Sequence, residues 1–268
     1  MKKRFWHDLW DREGEFLKSG RSELRHGASF VGVSKVAGQF YCEYKLENEF
    51  LFGQVPTESK EVGTGLHEEL IPTVPIDCET FAKLVSRRRP SYAVIGVWGR
   101  LADLPLLGMP DHIIWTAGRP IWLVELKTTR GDPTPLWDDQ LSQTLIYGAL
   151  LERMGFDCSE LRLALVRIRT GEGLDDAMKR QWISNVSDAL QSGRVDELES
   201  ENRGTMKVHL IKHDVAAAEA SVRRMQGYWL GQREPVPSSS VAKCRACEYN
   251  PVCSKTLYKG PVAGAASA

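Results

Sequence analysis

The sequence has no surplus of charge of either sign: 35 lysines and arginines stand against 35 aspartates and glutamates, a formal net charge of zero. That excludes a protein that coats polyanions through a uniformly basic surface, and it makes any nucleic-acid contact a local one. A long apolar run is also missing. The stretch IGVWGRLADLPLLGMP is interrupted by Arg100, Asp103 and two prolines, well short of the roughly 18 uninterrupted apolar residues of a membrane helix, so no membrane partner is expected. The opening MKKRFWHDLWDREGEF carries Asp8, Asp11 and Glu13 where a secretory signal has its apolar core, which predicts a cytoplasmic, reducing location. Neither a GxxxxGK[ST] phosphate loop nor a GxGxxG turn occurs, so nucleotide hydrolysis and dinucleotide chemistry are not indicated. No internal repeat is present. The six cysteines in a reducing compartment speak for metal rather than for a disulfide framework.

What is present is ordinary globular material, 42% hydrophobic and 26% charged, enough for one good core. A helix is expected over Phe5 to Leu17, a loop over Gly20 to Gly27, a helix from an N-cap at Ser34 through Lys45, and another over about Glu61 to Ile71. Asp77 caps a short helix through Leu84 that ends in Arg87, Arg88 and Arg89 before Pro90. Ser91 to Trp98, Asp111 to Trp115 and Ile121 to Lys127 read as an antiparallel meander, with a turn at Ala117, Gly118, Arg119 and Pro120. A long helix over Asp138 to Met154, a strand over Leu161 to Ile168, a helix over Leu174 to Ser192, a strand over Met206 to Ile211 and a helix over Val215 to Leu230 complete the pattern. REPVPSSS links these to the last cysteines, and the tail is expected to be flexible. The order of elements predicts an α/β fold with one mixed sheet flanked by helices.

The residues with chemistry concentrate around the meander. Pro110-Asp111 opens one strand and Glu125-Leu126-Lys127 ends its neighbour. Alternate strand residues share a face, so Glu125 and Lys127 point together while Leu126 faces the core and offers its carbonyl. Oxygen ligands from Asp111, Glu125 and the Leu126 carbonyl suit Mg²⁺ or Mn²⁺. A lysine beside them is placed to orient water and offset charge on a phosphate. The bland alternative makes these strand-end acids with a solvated lysine, but an acid and a lysine after the apolar run IWLV need a partner or an ion. Cys42, Cys78 and Cys158 are scattered, whereas Cys244, Cys247 and Cys253 crowd together. Three thiolates call for a fourth ligand, and structural zinc competes with an iron–sulfur cluster for such a set.

Pro110-Asp111 with Glu125-Leu126-Lys127 resembles the motif of the PD-(D/E)XK nuclease superfamily, and Gln143 with Tyr147 resembles the QxxxY pair of its RecB-like branch. The resemblance implies a restriction-endonuclease-like core. It also implies that His67, in GTGLHEEL, joins Asp111, Glu125 and the Leu126 carbonyl as a metal ligand, and that Gln143 and Tyr147 position DNA. Cys42 with Cys244, Cys247 and Cys253 resembles the one-plus-three cysteines that hold a [4Fe–4S] cluster in that branch, forming a C-terminal iron–sulfur clip, which leaves Cys78 and Cys158 as buried thiols. The pattern is most similar to the CRISPR-associated exonuclease family numbered four. Likeness to that family implies an exonuclease on single-stranded DNA ends, with 5′ to 3′ polarity, that trims DNA for spacer acquisition in antiviral defence alongside CRISPR integrase proteins. A repair, recombination or viral nuclease of the same fold, and a non-catalytic DNA-binding scaffold for an integrase or helicase, are the alternatives. Arg87 to Arg89, Lys127 to Arg130 and the pair Arg223 and Arg224 are candidate phosphate contacts. The expected organisation is an accessory helix and loop over 1–33, the nuclease domain over 34–257 and a tail over 258–268.

Overall fold

The computed structural model describes residues 3–20, 22–56, 77–169 and 176–260. Helix α1 (Lys3–Lys18) buries Trp6 and Leu9 on one face. Strand β1 (Val31–Gly32) leads into α2 (Val33–Gln39) and α3 (Glu43–Phe52). The single helix expected over Ser34 to Lys45 is therefore two. The first starts from Gly32, and the chain turns at Phe40–Cys42, where Cys42 takes an extended conformation (φ −174°, ψ 125°) as N-cap of α3. Helix α4 (Cys78–Val85) is capped as expected: the Asp77 carboxylate accepts from the Thr80 amide at 2.9 Å. The helix expected over Glu61 to Ile71, and His67 with it, lies outside the described residues.

Among the described residues two sheets are present where one was expected. Strands β3 (Val97–Leu101) and β4 (Leu104–Gly108) form a hairpin that pairs with β1 in the order β1-β4-β3. The larger sheet contains β2 (Ser91–Tyr92), β5 (His112–Thr116), β6 (Arg119–Thr129), β7 (Arg162–Arg169) and β8 (Met206–Lys212), in the order β2-β5-β6-β7-β8. The run Ser91 to Trp98 is split between the sheets, so the meander reduces to the β5–β6 hairpin. Its two-residue turn, Ala117 and Gly118, has φ of 51° and 82°, the left-handed pair that matches the twist of a tight hairpin. Strand β6 then runs parallel to β7, a pairing that needs a crossover, and α5 (Asp138–Arg153) supplies it.

Alternation along β6 sorts the core into two layers. Leu123 and Leu163 face α5, with Ile146 and Leu150 of that helix in the same cluster. Trp122, Val124, Leu126, Ala164 and Val166 face the other way, against Val186, Ala189 and Leu190 of α6 (Asp176–Ser192) and Leu198 of α7 (Val195–Glu201). Helix α8 (Val215–Trp229) packs on α5 and α2, and the short α9 (Val241–Ala246) carries Cys244. Among the described residues no helix is long and apolar enough to cross a membrane.

Candidate active site

Proline has no amide hydrogen, so Pro110 cannot extend the β5 ladder, and the β5–β6 pairing stops at His112 opposite Val124. The Leu126 amide, two residues further along β6, is taken by a side chain instead: it donates to Asp111 Oδ2 at 2.7 Å. This bond fixes the Asp111 carboxylate against the strand that carries the second acid. The register of β6 places Leu126 in the α6 layer and turns Glu125 and Lys127 toward α5.

On that face the polar groups are joined. Lys127 Nζ donates to Glu125 Oε1 at 2.7 Å, and Gln143 Nε2 donates to the same oxygen at 2.8 Å. Gln143 Nε2 also reaches the Tyr147 hydroxyl at 3.1 Å, as residues four apart on a helix can. Asp111, Glu125, Gln143 and Tyr147 are all buried, whereas the Lys127 side chain stays 25% exposed and marks where the site opens. Burial alone would pull the Lys127 ammonium down. Attraction to Glu125 and Asp111, with the hydrogen bond to Glu125, outweighs it and holds the pKa above the ordinary lysine value. Burial, reinforced by the Glu125 charge, pushes the Tyr147 phenol up, so it keeps its proton. His112, beside Asp111, is stacked on Tyr92 with ring centroids 5.0 Å apart, and burial lowers its pKa to about 4 against the pull of Asp111.

The structure thus brings together Asp111, Glu125, Leu126, Lys127, Gln143 and Tyr147. The donor set suits a hard divalent cation: two carboxylates on adjacent strands with a backbone carbonyl beside them. As they stand, no three His, Cys, Asp or Glu side chains among the described residues form a group that would grip a metal ion. One residue that the sequence did not flag controls the packing here. A Cβ on Gly108 would lie 2.5 Å from Tyr147 Cε1 and 2.9 Å from Val33 Cγ2, so the turn into Met109-Pro110-Asp111 needs glycine for the tyrosine to take its place. The only sequence signal was a glycine two residues ahead of the Pro-Asp pair.

The basic runs divide. Lys127 to Arg130 lies at the site. Arg87 lies beside the β5–β6 turn, where its carbonyl accepts from the Ala117 amide, about 25 Å from Lys127 along β6 at ~3.3 Å per residue. Arg223 is paired with Glu219 at 2.9 Å, and the Arg224 guanidinium lies 5.1 Å from the Phe40 ring centroid.

A second group assembles from the two ends of the chain. Cys42, Cys244, Cys247 and Cys253 line one small cavity, together with Tyr41, Lys45, Lys243 and Lys255, but as they stand no three of these thiols are close enough to share an ion. The Ser238 amide donates to Cys42 Sγ at 3.3 Å, and burial pushes the Cys247 thiol up. Next to the cavity, Arg233 donates to both oxygens of the buried Glu43 at 2.6 and 2.5 Å, the Val236 amide adds a third bond, and Gln39 links Glu43 to Trp229. Cys158 is buried as expected and Cys78 is partly exposed.

No curated protein matches the sequence. Among solved structures, one described as "Crystal structure of SSO0001" superposes with a TM-score of 0.46 at 17% identity, over 93% of this chain and 95% of that one, a likeness too slight to bear on function. Residues 39–254 match the profile of the PD-(D/E)XK nuclease superfamily, whose members use divalent metals such as Mg²⁺ or Mn²⁺. That span contains both strand motifs, the Gln143–Tyr147 pair and all four clustered cysteines, and the chain belongs to the PD-(D/E)XK nuclease superfamily.

Proposed function

We propose that the protein is a metal-dependent deoxyribonuclease acting as an exonuclease on single-stranded DNA ends, with 5′ to 3′ polarity. The observation that carries this reading is the joined set Asp111–Leu126 and Lys127–Glu125–Gln143, in which both acids are fixed before any ligand arrives. Asp111, Glu125 and the Leu126 carbonyl would hold Mg²⁺ or Mn²⁺, with His67 as the further ligand that the family resemblance implies. When bound, the ion supplies Lewis-acid polarisation of the phosphodiester and activation of water. Lys127 Nζ, a cation at the mouth of the site, orients the attacking water and offsets negative charge on the phosphate oxygens. Gln143 holds Glu125 Oε1 in place, and Tyr147 holds Gln143, so the pair positions the acid and, through it, the DNA.

The cysteine cavity supports the second half of the reading. Four thiols from both ends of the chain, with an amide donor on one of them, would supply the soft donor set of a [4Fe–4S] cluster once drawn together around it. Cys42, Cys244, Cys247 and Cys253 would then hold it as a clip. This extends the proposal to trimming DNA for CRISPR spacer acquisition, with integrase proteins as partners.

The test is a length series of free and end-blocked single-stranded oligonucleotides with Mn²⁺ or Mg²⁺. Wild-type protein should shorten free ends and spare blocked ones. Asp111→Ala, Glu125→Ala and Lys127→Ala should each fall by at least about 100-fold while melting as folded proteins. A Lys127→Ala protein that cuts at the wild-type rate would refute the assigned mechanism.

A further inference from the structure

Strand β7 carries a charge where its neighbours are apolar: Arg167, in the run Leu165-Val166-Arg167-Ile168, is only 3% exposed. It lies directly opposite Lys127 in the parallel β6–β7 register and so shares the sheet face of the active site. The described residues show no carboxylate in an ion pair with it. Its Nη1 donates instead to the Pro135 carbonyl, its Nε is buried without a hydrogen-bond partner, and its guanidinium lies 6.0 Å from the Trp137 ring centroid. A buried cation that ties down a loop and underlies an indole is an expensive arrangement unless the indole has to be held still.

The loop is stiffened further. Thr134 N–H closes a turn on Asp132 Oδ1 at 2.9 Å, Gly131 N–H donates to Thr129 Oγ1 at 3.1 Å, and Pro133 and Pro135 restrict the backbone. The product of this bracing is an exposed aromatic ring. Trp137 is 52% exposed at the N-terminus of α5, next to Leu136 at 39%. Gln143 is six positions further along, about 9 Å of helix. Burial lowers the pKa of His209 on the same face, with Lys207 and Arg167 adding to the shift and Glu199 opposing it.

We infer that Trp137 is a base-stacking platform for a single strand entering the active site, and that Arg167 is the positioning residue that holds the indole in place. The inference rests on the nuclease reading for the identity of the strand, and it deepens that reading by naming what selects single strands. A base paired inside a duplex has its faces covered by its neighbours, whereas an unpaired base can stack on an indole whatever its identity. The surface therefore sorts substrates by strandedness and not by sequence.

The test is made in an Asp111→Asn background, which separates binding from cutting, with fluorescence anisotropy of a labelled single-stranded oligothymidine, an abasic oligonucleotide of equal length and a blunt duplex. Trp137→Ala should weaken oligothymidine binding by roughly 5- to 150-fold, the range of one lost base stack, while Trp137→Phe stays within about 3-fold. Neither change should alter abasic or duplex binding. Arg167→Ala, or Arg167→Lys if the alanine variant melts early, should reproduce part of the Trp137→Ala loss, and combining it with Trp137→Ala should add little. In the unmutated background the loss should appear in KM with kcat nearly unchanged. Equal weakening for all three ligands, or wild-type oligothymidine binding by Trp137→Ala, would overturn the proposal. Because the anisotropy readings need no cleavage, they stand apart from failure of the nuclease assignment, which would appear as intact DNA with the wild-type protein.

Discussion

The active edge, where the β5–β6 ladder stops, joins elements near one another in sequence, whereas the cysteine cavity joins the two ends of the chain, and the two are held in different ways. At the active edge the acids are bonded directly to neighbouring chain: Asp111 to the Leu126 amide, Glu125 to Lys127 and Gln143. At the cavity the thiols share a wall, and the rigidity lies beside them in the Glu43–Arg233 pair and its links to Val236, Gln39 and Trp229. The first region is organised by its own functional groups, the second by a scaffold around them. Substitutions at the active edge should therefore remove chemistry and spare the fold, whereas substitutions near the cavity should loosen the fold and spare the acids.

The largest effect that sharpens this contrast is expected at Asp111. Asp111→Ala should lower the cleavage rate by about 100-fold or more, and Asp111→Ala with Glu125→Ala should be little worse, because groups that act as a unit lose their effect together. Rate measurements beside thermal melts check both halves. A melting temperature that collapsed with the rate would break the contrast.

At the cavity, the proposed cluster would make the protein brown, and on that proposal Cys244→Ser should bleach it and expose its C-terminal segment to protease, while Cys158→Ser keeps its colour. A link from Cys42 to Cys244 closes about 200 residues, and loops of that size restrict the unfolded chain by about 5 kcal/mol on the entropy account. Iron and acid-labile sulfide assays of anaerobically purified protein decide the metal. One zinc per chain without iron would replace the cluster and leave the clip in place.

Arg233→Ala should cost about 2 kcal/mol, below the ~3–5 kcal/mol of a fully buried pair because its side chain is 34% exposed. Urea melts measure this. The pair also sets a pH window. Burial alone would raise the Glu43 pKa, but hydrogen bonds from Arg233, Val236 and Gln39 outweigh it and hold the pKa below 4.5. A carboxylate depressed on folding contributes stability that is complete above its unfolded pKa and is lost as pH falls through the folded one. Wild-type stability should therefore drop below about pH 4.5 with a component that Arg233→Ala lacks.

A comparable effect is expected for Gly108→Ala, about 1–3 kcal/mol for forcing a methyl group against Tyr147 and Val33. If Tyr147 moves to make room, activity per folded molecule should fall with it. Unchanged activity would show that the Tyr147–Gln143 link does not govern the acid.

The legibility of these two regions in the sequence differed for a physical reason. That Glu125 and Lys127 share a face was legible because strand alternation is a local rule, whereas Gln143 and Tyr147 were picked out by the resemblance and only placed on one face by helical spacing. The short hairpin β3–β4 was not, because IGVWGRLADLPLLG is apolar on both sides and its period does not say which sheet it joins. The break between α2 and α3 was hidden for a related reason. Phe40 and Tyr41 continue a helical apolar pattern, and only packing against the C-terminal segment makes the chain turn there. Arg167 looked like one charge in a strand, since nothing local says that its neighbour across the ladder is Lys127.

By itself, the sequence determined the order of most elements, the face on which the acids and lysine lie, and the clustering of three cysteines, all consequences of backbone period and residue chemistry within short windows. Tertiary structure alone decided that Asp111 bonds the Leu126 amide, that Cys42 joins the distant thiols around one cavity, and that Arg167 underlies Trp137 beside the active site. Those pairings depend on strand register and on the crossing of helices, which are set by how the whole core packs.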